Sequence, residues 1–411
     1  MTAVPGSIVF NNFNVGSVDM LNPNLVQFNS LDIYEDITKP IFSAQAEVLD
    51  YNDVMGNFMI TGKEPVNISF SVPGTQGASF DMVLFDCQNL DDQTKQMSGS
   101  GKYKTYSLSM ASIDVMMNRI KRLSKSYNQP TSEIVQDAWS TITNAPVNTP
   151  DPTNGNQRVI SNNQAVFDFL AGIHERHVSQ KFKSSLYTLF ASRSGGGENR
   201  NFATYEYLMT QGAIFNLLQD YTTSGRSLTT NTAMNQLLWF LPSQVWNTPY
   251  RWNSSSNEGR YNIATGIWQG VTNKINEFVI LGQESMSSEE MALVNGVADN
   301  QKPYRHTHID PHNDKDKTGI SEAKTNRANY LKDLMQNTIN FEINGNPNLA
   351  VGNVVNLYIP KKADVQDGTE ALINGPVLLT KIRHKINPFS ASPRYTMVCE
   401  AIKAAFDEGV S

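Results

Sequence analysis

Five of the six histidines fall in two short segments whose spacing has metal chemistry in it. RHTHIDPHNDKD places His306, His308, Asp310 and His312 within seven residues, all of types that ligate zinc or another divalent ion. In an extended strand the alternating spacing puts them on one face, as a structural ion at a symmetry axis would require. Pro303, Pro311 and the surrounding charges point instead to a solvated loop, so no metal is expected there. HERH brings His174 and His177 three residues apart, but a zincin helix needs its second histidine at 178, where valine stands. A pair at i and i+3 can hold a metal on a helix, yet no third ligand accompanies it, and a place on the helix surface is expected.

Other segments with chemical potential read as structure. SGGG at 194–197 lacks the lysine and the strand-to-helix context of a phosphate-binding loop, and reads as a hairpin turn. GSGKYK at 99–104 feeds the strand-like YKTYSLSM rather than a helix N-terminus that could cradle phosphate. Catalytic carboxylates for sugar hydrolysis meet in space and not at fixed spacing, so the sequence neither shows nor excludes them. Trp239, Trp246, Tyr250 and Trp252 could line a sugar site, but aromatic clusters more often fill cores or subunit interfaces, and interface is the expected use. No catalytic, cofactor-binding or metal-binding residue is therefore assigned, and no cofactor is expected.

The bulk properties bound what must position these residues. A chain of 411 residues exceeds what one growing core usually holds, so two to four compact units are expected. Hydrophobic residues make up 39% and charged residues 18%, while 15 Tyr and 19 Phe supply strands with side chains to bury. Net charge is −6, from 33 basic and 39 acidic residues without a long basic run, which argues against a surface that grips phosphates. Cys87 and Cys399 lie far apart in apolar runs and read as two buried thiols without a disulfide. MTAVPGSIVFNNFNVGS lacks the pattern of a secretion signal, and no run approaches 18 apolar residues, so a soluble, unsecreted chain without membrane insertion is expected.

From Phe28 to Ala111 apolar and polar residues alternate in at least five runs separated by Gly, Asn, Asp or Pro, the signature of antiparallel strands that close into a small barrel. At Ser112 the period changes. Ile113, Met116, Met117, Ile120 and Leu123 stand at helical spacing through IDVMMNRIKRLSKSY, and SEIVQDAWSTI predicts a second helix with Thr131 and Ser132 as its cap candidates. TNAPVNTPDPTNGNQ reads as a surface loop with a mobile tip. NNQAVFDFLAGIHERHVSQ predicts a helix with Val166, Phe169, Leu170 and Ile173 on one face, and SSLYTLFASRS and NRNFATYEYLMTQ predict strands. Near the C-terminus, EAKTNRANYLKDLMQNT predicts a helix followed by four strands, INFEINGNP, VGNVVNLYIPKK, GPVLLTKIRHKINP and RYTMVCEAIKAAF.

The order of these features resembles the baseplate hub family of contractile-tailed bacteriophages, which is related to the hub portion of type VI secretion spike proteins. The likeness rests on EPVNISFSVPG…FDMVLFDCQNL, YSLSMAS and the helix-turn RLSKSYNQPTSEIVQDAW, and then on NGNPNLAVGNVVNLYIPKK, GPVLLTKIRHKINP and RYTMVCEAIKAAF. The stretch from Tyr221 to Asp316 departs from the pattern. The resemblance implies an α+β, mostly β chain with two tail-tube-like antiparallel β-barrels and an inserted α/β domain. Its expected parts are an N-terminal arm at 1–29, a first barrel at 30–111, an α/β domain at 112–213, the first part of a second barrel with insertions at 214–320, and a helix with the rest of that barrel at 321–411. It implies a homotrimer whose six barrels form a pseudo-six-fold ring between the tail tube, or a tube-initiator protein, and a central spike protein, with baseplate wedge proteins around it. DNA would pass through the lumen without specific binding, and the chain would reside in the virion tail baseplate after assembly in the host bacterial cytoplasm. The competing readings are a tail-tip glycan-degrading enzyme and a carbohydrate-binding virion protein.

Overall fold

The computed structural model describes residues 6–218, apart from 61, 74, 76, 92–102, 144–145, 174–176 and 194–197, and residues 338–403, apart from 360–373 and 389–393. Between these it describes six short strands within 237–309 and the single residues 292, 296, 327, 331 and 334. The first 112 residues form β1 (Val9–Val15), β2 (Val18–Asp19), β3 (Val26–Asp36), β4 (Ser43–Asp50), the short helix α1 (Val54–Asn57), β5 (Pro65–Ser71), β6 (Ala78–Asp91) and β7 (Lys104–Ser112). Alternation explains them. In β3, Val26 and Phe28 point inward, the β3–β4 ladder skips Asn29, and Leu31, Ile33 and Glu35 then take the inward positions. The bulge flips the phase of the pattern by one residue and keeps the second apolar set on the core face.

The α/β unit comprises α2 (Ile113–Ile120), β8 (Leu123–Pro130), α3 (Thr131–Ser140), β9 (Val147–Asn148), β10 (Asn156–Gln164), α4 (Val166–Ile173), β11 (Tyr187–Ser192), β12 (Asn199–Thr204) and α5 (Tyr205–Met209). It has a small core of its own around Trp139, Ile134, Val166, Phe169 and Leu170. The predicted face of α4 is buried as expected. Three local expectations change. α2 stops at Ile120, and the following residues, expected as more helix, form β8, paired antiparallel with β10. Pro130, not Thr131 or Ser132, is the N-cap of α3 and has no side-chain acceptor to offer; the Ser132 N–H donates instead to Thr153 Oγ1 at 3.0 Å. That bond comes from the stretch expected as a mobile loop, where Asp151 and Thr153 are in fact buried because they satisfy groups inside the unit. NRNFATYEYLMTQ is a strand only to Thr204, whose hydroxyl accepts the Tyr207 N–H and starts α5.

The remaining strands are β13 (Phe215–Leu218), β14 (Leu237–Pro242), β15 (Ser256–Asn262), β16 (Ile267–Asn273), β17 (Val279–Ile280), β18 (Gln283–Glu284), β19 (Tyr304–Ile309), β20 (Thr338–Asn344), β21 (Val354–Tyr358), β22 (Gly375–Asn387) and β23 (Arg394–Ile402). Arg327, Leu331 and Leu334 are helical, as expected for that segment.

Thirteen strands from both ends of the chain join one sheet, in the order β14-β20-β23-β22-β3-β4-β7-β6-β5-β1-β2, with β21 and β13 branching from β22. The chain is mostly β as expected, but this path is open at both ends among the described residues and does not close into two barrels. The first half nevertheless rolls inward: Phe10 and Phe13 of β1 meet Phe28 of β3 at 5.4 and 5.0 Å between ring centroids, five strands away in the order. Residues 9–19, expected within an arm, are strands of this sheet. A single apolar cluster runs from Phe13 through Phe80 to Met397, so both halves share one core.

The join is made by β22. Its one edge pairs with β23, and its other edge pairs with β21 over Gly375–Leu378 and then with β3 over Lys381–Ile386. Thr380 lies at the switch, skipped by the β23 ladder, and its carbonyl accepts the Ile37 N–H at 2.8 Å. Further along β22, beside its pairing with the start of β23, Gly345 passes under the ring of Tyr395, where an added Cβ would sit 1.9 Å from a ring carbon of a side chain that is 0% exposed. Gly345→Ala is expected to destabilise the chain by about 3 kcal/mol or more, because neither backbone nor ring can yield. Urea unfolding checks this against Gly212→Ala, which meets nothing within 4 Å and should change stability by less than about 1 kcal/mol.

Candidate functional site: the polar core at the sheet junction

Three stretches far apart in sequence bring ionisable groups together where β3 meets β22. Inward alternation puts Glu35 of β3 and His384 of β22 on the core face, and Tyr395 enters from β23. Nε2 of His384 lies 3.1 Å from Oε1 of Glu35, and its Nδ1 lies 2.7 Å from the Tyr395 hydroxyl. A carboxylate oxygen accepts, so Nε2 of His384 donates to Glu35, while Nδ1 shares a hydrogen bond with the Tyr395 hydroxyl, which can serve as donor or acceptor. The Val351 N–H donates to Oε2 of Glu35 at 3.2 Å. Arg193, arriving after β11, supplies positive charge: its guanidinium stacks 4.4 Å from the Phe80 ring centroid and faces Glu35 and Tyr395. Burial holds the Arg193 pKa below its ordinary value and pushes that of Tyr395 well above its own.

A Glu–His–Tyr relay could move protons in a cleft, but here all three side chains are at most 2% exposed. The site's work is to fix register: a slip of one residue between β3 and β22 would turn Glu35 outward and leave His384 without its acceptor.

Two further buried clusters attach the α/β unit. Arg200 of β12 donates from Nε to Oδ2 of Asp114 at 3.1 Å and from Nη2 to the same oxygen, and it lies over Phe42 of the main core and Trp139 of the smaller one. Asp151 accepts from the Ser179 and Thr204 hydroxyls at 2.7 and 2.6 Å. Beside it Glu206 is buried, and burial raises its pKa to about 7, with the Asp151 charge adding to the shift. Ser184 and Arg327 oppose that shift, but no described donor meets either Glu206 carboxylate oxygen in hydrogen-bond geometry.

The residues singled out from sequence are dispersed. His177, expected on a helix surface, lies beyond the end of α4 and is 1% exposed, its ring 4.6 Å from Tyr187 and 5.2 Å from Phe202; the aromatic pocket outweighs the polarity of the ring. His174, the SGGG turn, Gly99–Gly101, Asp310, His312, Trp246, Tyr250 and Trp252 lie outside the described residues. His306 and His308 occupy alternate positions of β19, a strand paired in parallel with β15 and not the loop expected. Among the described residues no three His, Cys, Asp or Glu side chains are grouped to hold a metal ion. None of the described helices is long and apolar enough to cross a membrane. Cys399 is buried and Cys87 half-buried, both free.

In two open hollows, no pair of unengaged carboxylates stands among the described residues. One of about 730 Å³ on the α/β unit is lined by Arg158, Ile160, Gln164 and Gly172, with Asp168 the one acid among its described residues. Another of about 380 Å³ lies over the junction, where Lys381 reaches Glu400 at 2.9 Å and Lys39 reaches Asp36 at 3.8 Å.

The sequence matches no protein-family profile and no curated protein. The structure is similar to the tail protein from Neisseria meningitidis MC58, with a TM-score of 0.56 and 9% identity over 97% of this chain and 96% of that one. It is likewise similar to the 43 kDa tail protein of prophage MuSo2 from Shewanella oneidensis, with a TM-score of 0.53 and 10% identity over 96% and 98% of the two chains. A type VI secretion system component from Escherichia coli lies further off, at a TM-score of 0.44 and 10% identity over 98% of this chain and 77% of that one. The chain thus has the mostly β fold of the two tail proteins along nearly its whole length.

Two variants test these buried polar groups, one at the sheet junction and one beside Asp151. His384→Ala strips the buried Glu35 carboxylate and the Tyr395 hydroxyl of their partner, and a loss of about 3 kcal/mol is expected in urea unfolding at pH 7. Glu206 has a folded pKa above its unfolded value, so its contribution is fully present below about pH 4 and is lost as pH rises through about 7. Relative to wild type, Glu206→Gln should therefore gain stability between pH 5 and pH 8, by roughly 3 kcal/mol at most, in unfolding curves measured across that range.

Proposed function

We propose that this chain is a structural component of a contractile phage-type tail: the baseplate hub, a homotrimer that joins the tail tube to a central spike and leaves a lumen for DNA. The observation that carries the reading is that strands from the two ends of the chain enter one sheet over one core, within a fold shared end to end with phage tail proteins. Among the described residues the sheet is open at both ends, and open edges are normally covered or paired in the working assembly. Heterologous contacts between identical chains close into a ring when the rotation permits. Three chains, each contributing two strand-rich halves, then match a six-fold tube above and a three-fold spike below. A net charge of −6 suits a wall that DNA passes without being held. The acid–base groups described above are enclosed in cores, so the role proposed is binding and release without catalysis.

The purified chain should run at three times its 45.7 kDa mass, and electron-microscope class averages down the axis should show six similar lobes around an open lumen. It should also co-sediment with tail tubes or with the spike. A chain that binds neither tube nor spike, or that clears cell-wall glycan in a gel assay, would refute the hub reading.

A further inference from the structure

α2 turns a carboxylate inward beside Met117, which packs on the smaller core, and leaves apolar side chains outside. Its one carboxylate, Asp114, is 1% exposed beneath Arg200, whereas Ile113 and Ile120 are 42% and 67% exposed. Ile113, Met116 and Ile120 stand at i, i+3 and i+7 and therefore share one side of the helix. Sequence periodicity alone assigns this stripe to the core. Burying the Asp114–Arg200 pair turns it outward. Arg119, Lys121 and Arg122 are exposed beside the stripe, and no acidic residue of α2 accompanies them.

An apolar stripe with a basic collar fits a surface that is apolar and acidic, and the first half of the chain has one. The turn between β4 and β5 holds Asp53, Met59 and Lys63 at φ of 57°, 50° and 140°. Backbone in these regions costs on the order of 1 kcal/mol or more per residue and persists where the surroundings hold it for use. The turn displays Phe58 and Met59, 48% and 78% exposed, and its Gly62 rests against the backbone of Phe85. Phe85 is skipped by the β6–β7 ladder and is 57% exposed. Asp86 and Glu64 flank it; their charges add to burial in holding the Cys87 thiol above its ordinary range. Lys63 and Lys104 also stand at this end, and Lys104 is tied to Asp53 at 2.7 Å.

We infer that α2 of one copy docks on the Phe58, Met59 and Phe85 surface of the next copy, its basic collar facing Glu64 and Asp86. Each copy offers one helix and one turn, so the contact is heterologous and propagates around a ring. The inference rests on the homotrimer reading and names the interface that reading requires.

Light scattering and sedimentation of the full chain test it with Ile120→Glu and Phe85→Lys. Each substitution replaces an exposed side chain, so circular dichroism and melting should stay as in wild type while self-association weakens at least ~10-fold. Mixed in equal amounts, the two variants should form a two-chain species, because the intact helix of one meets the intact turn of the other. If either variant melts early, Arg119→Glu should weaken association and Asp86→Arg in the same chain should restore it. Wild-type mass in Ile120→Glu, or mixed variants that do not pair, would overturn the contact. A wild-type chain that stays monomeric would also overturn it, while co-sedimentation with tube and spike judges the tail reading separately.

Discussion

β22 pairs with β23 along one edge and with β21 and then β3 along the other, and the two ends of the chain are held together by that division of a single strand. The switch at Thr380 is a bulge, which lets the ladder to β23 continue while the opposite edge changes partner. With it, strands from residues 9–112 and 338–402 enclose a common core, and the Phe70, Phe80, His384 and Tyr395 rings pack across it within 6.4 Å of one another in pairs. Local pairing at one strand thus decides whether the chain has one core or two.

Polar groups mark the places where separate pieces of the chain must meet. Glu35, His384 and Tyr395 tie β3 to β22 and β23; Arg200 and Asp114 tie β12 to α2; Asp151, Ser179 and Thr204 tie the stretch after β9 to β12. Apolar contacts tolerate sliding, whereas a buried carboxylate tolerates only positions where its donors remain. Such groups contribute less to net stability than to the choice of one packing among many, which is the property an assembly component needs if its outer surfaces are to meet partners in register. Glu206 departs from this rule, being buried without a described donor, and its raised pKa is the physical consequence.

The same logic explains which candidate residues were legible. Alternation identified β3, β7, β20, β22 and β23, and the helical period identified α4 with its four buried residues, because these patterns are local and report a single amphipathic face. The polar core was missed. Nothing in the spacing of Glu35, His384 and Tyr395 signals a contact between residues about 350 apart, and the one available hint was a histidine and a glutamate at inward positions of otherwise apolar strands. For α2 the period located the helix but not its inward face: Asp114 is buried beneath Arg200 and Met117 packs on the smaller core, while Ile113 and Ile120 are exposed. His177 and the Asp151 stretch were assigned to the surface from composition, although partners far along the chain enclose them.

By itself the sequence determined period, strand and helix type, the mostly β character and the absence of a paired disulfide framework, since each follows from side chains within a few residues of one another. Its resemblance to hub proteins extended that to an architecture. Only the tertiary structure decided which strands share a sheet, that the sheet runs open through β22, and which face of α2 meets water. Those outcomes depend on hydrogen bonds and charge pairs between residues more than 80 positions apart, as in Arg200 with Asp114, and the energy of such a pair exists only once the chain has brought its members out of water together.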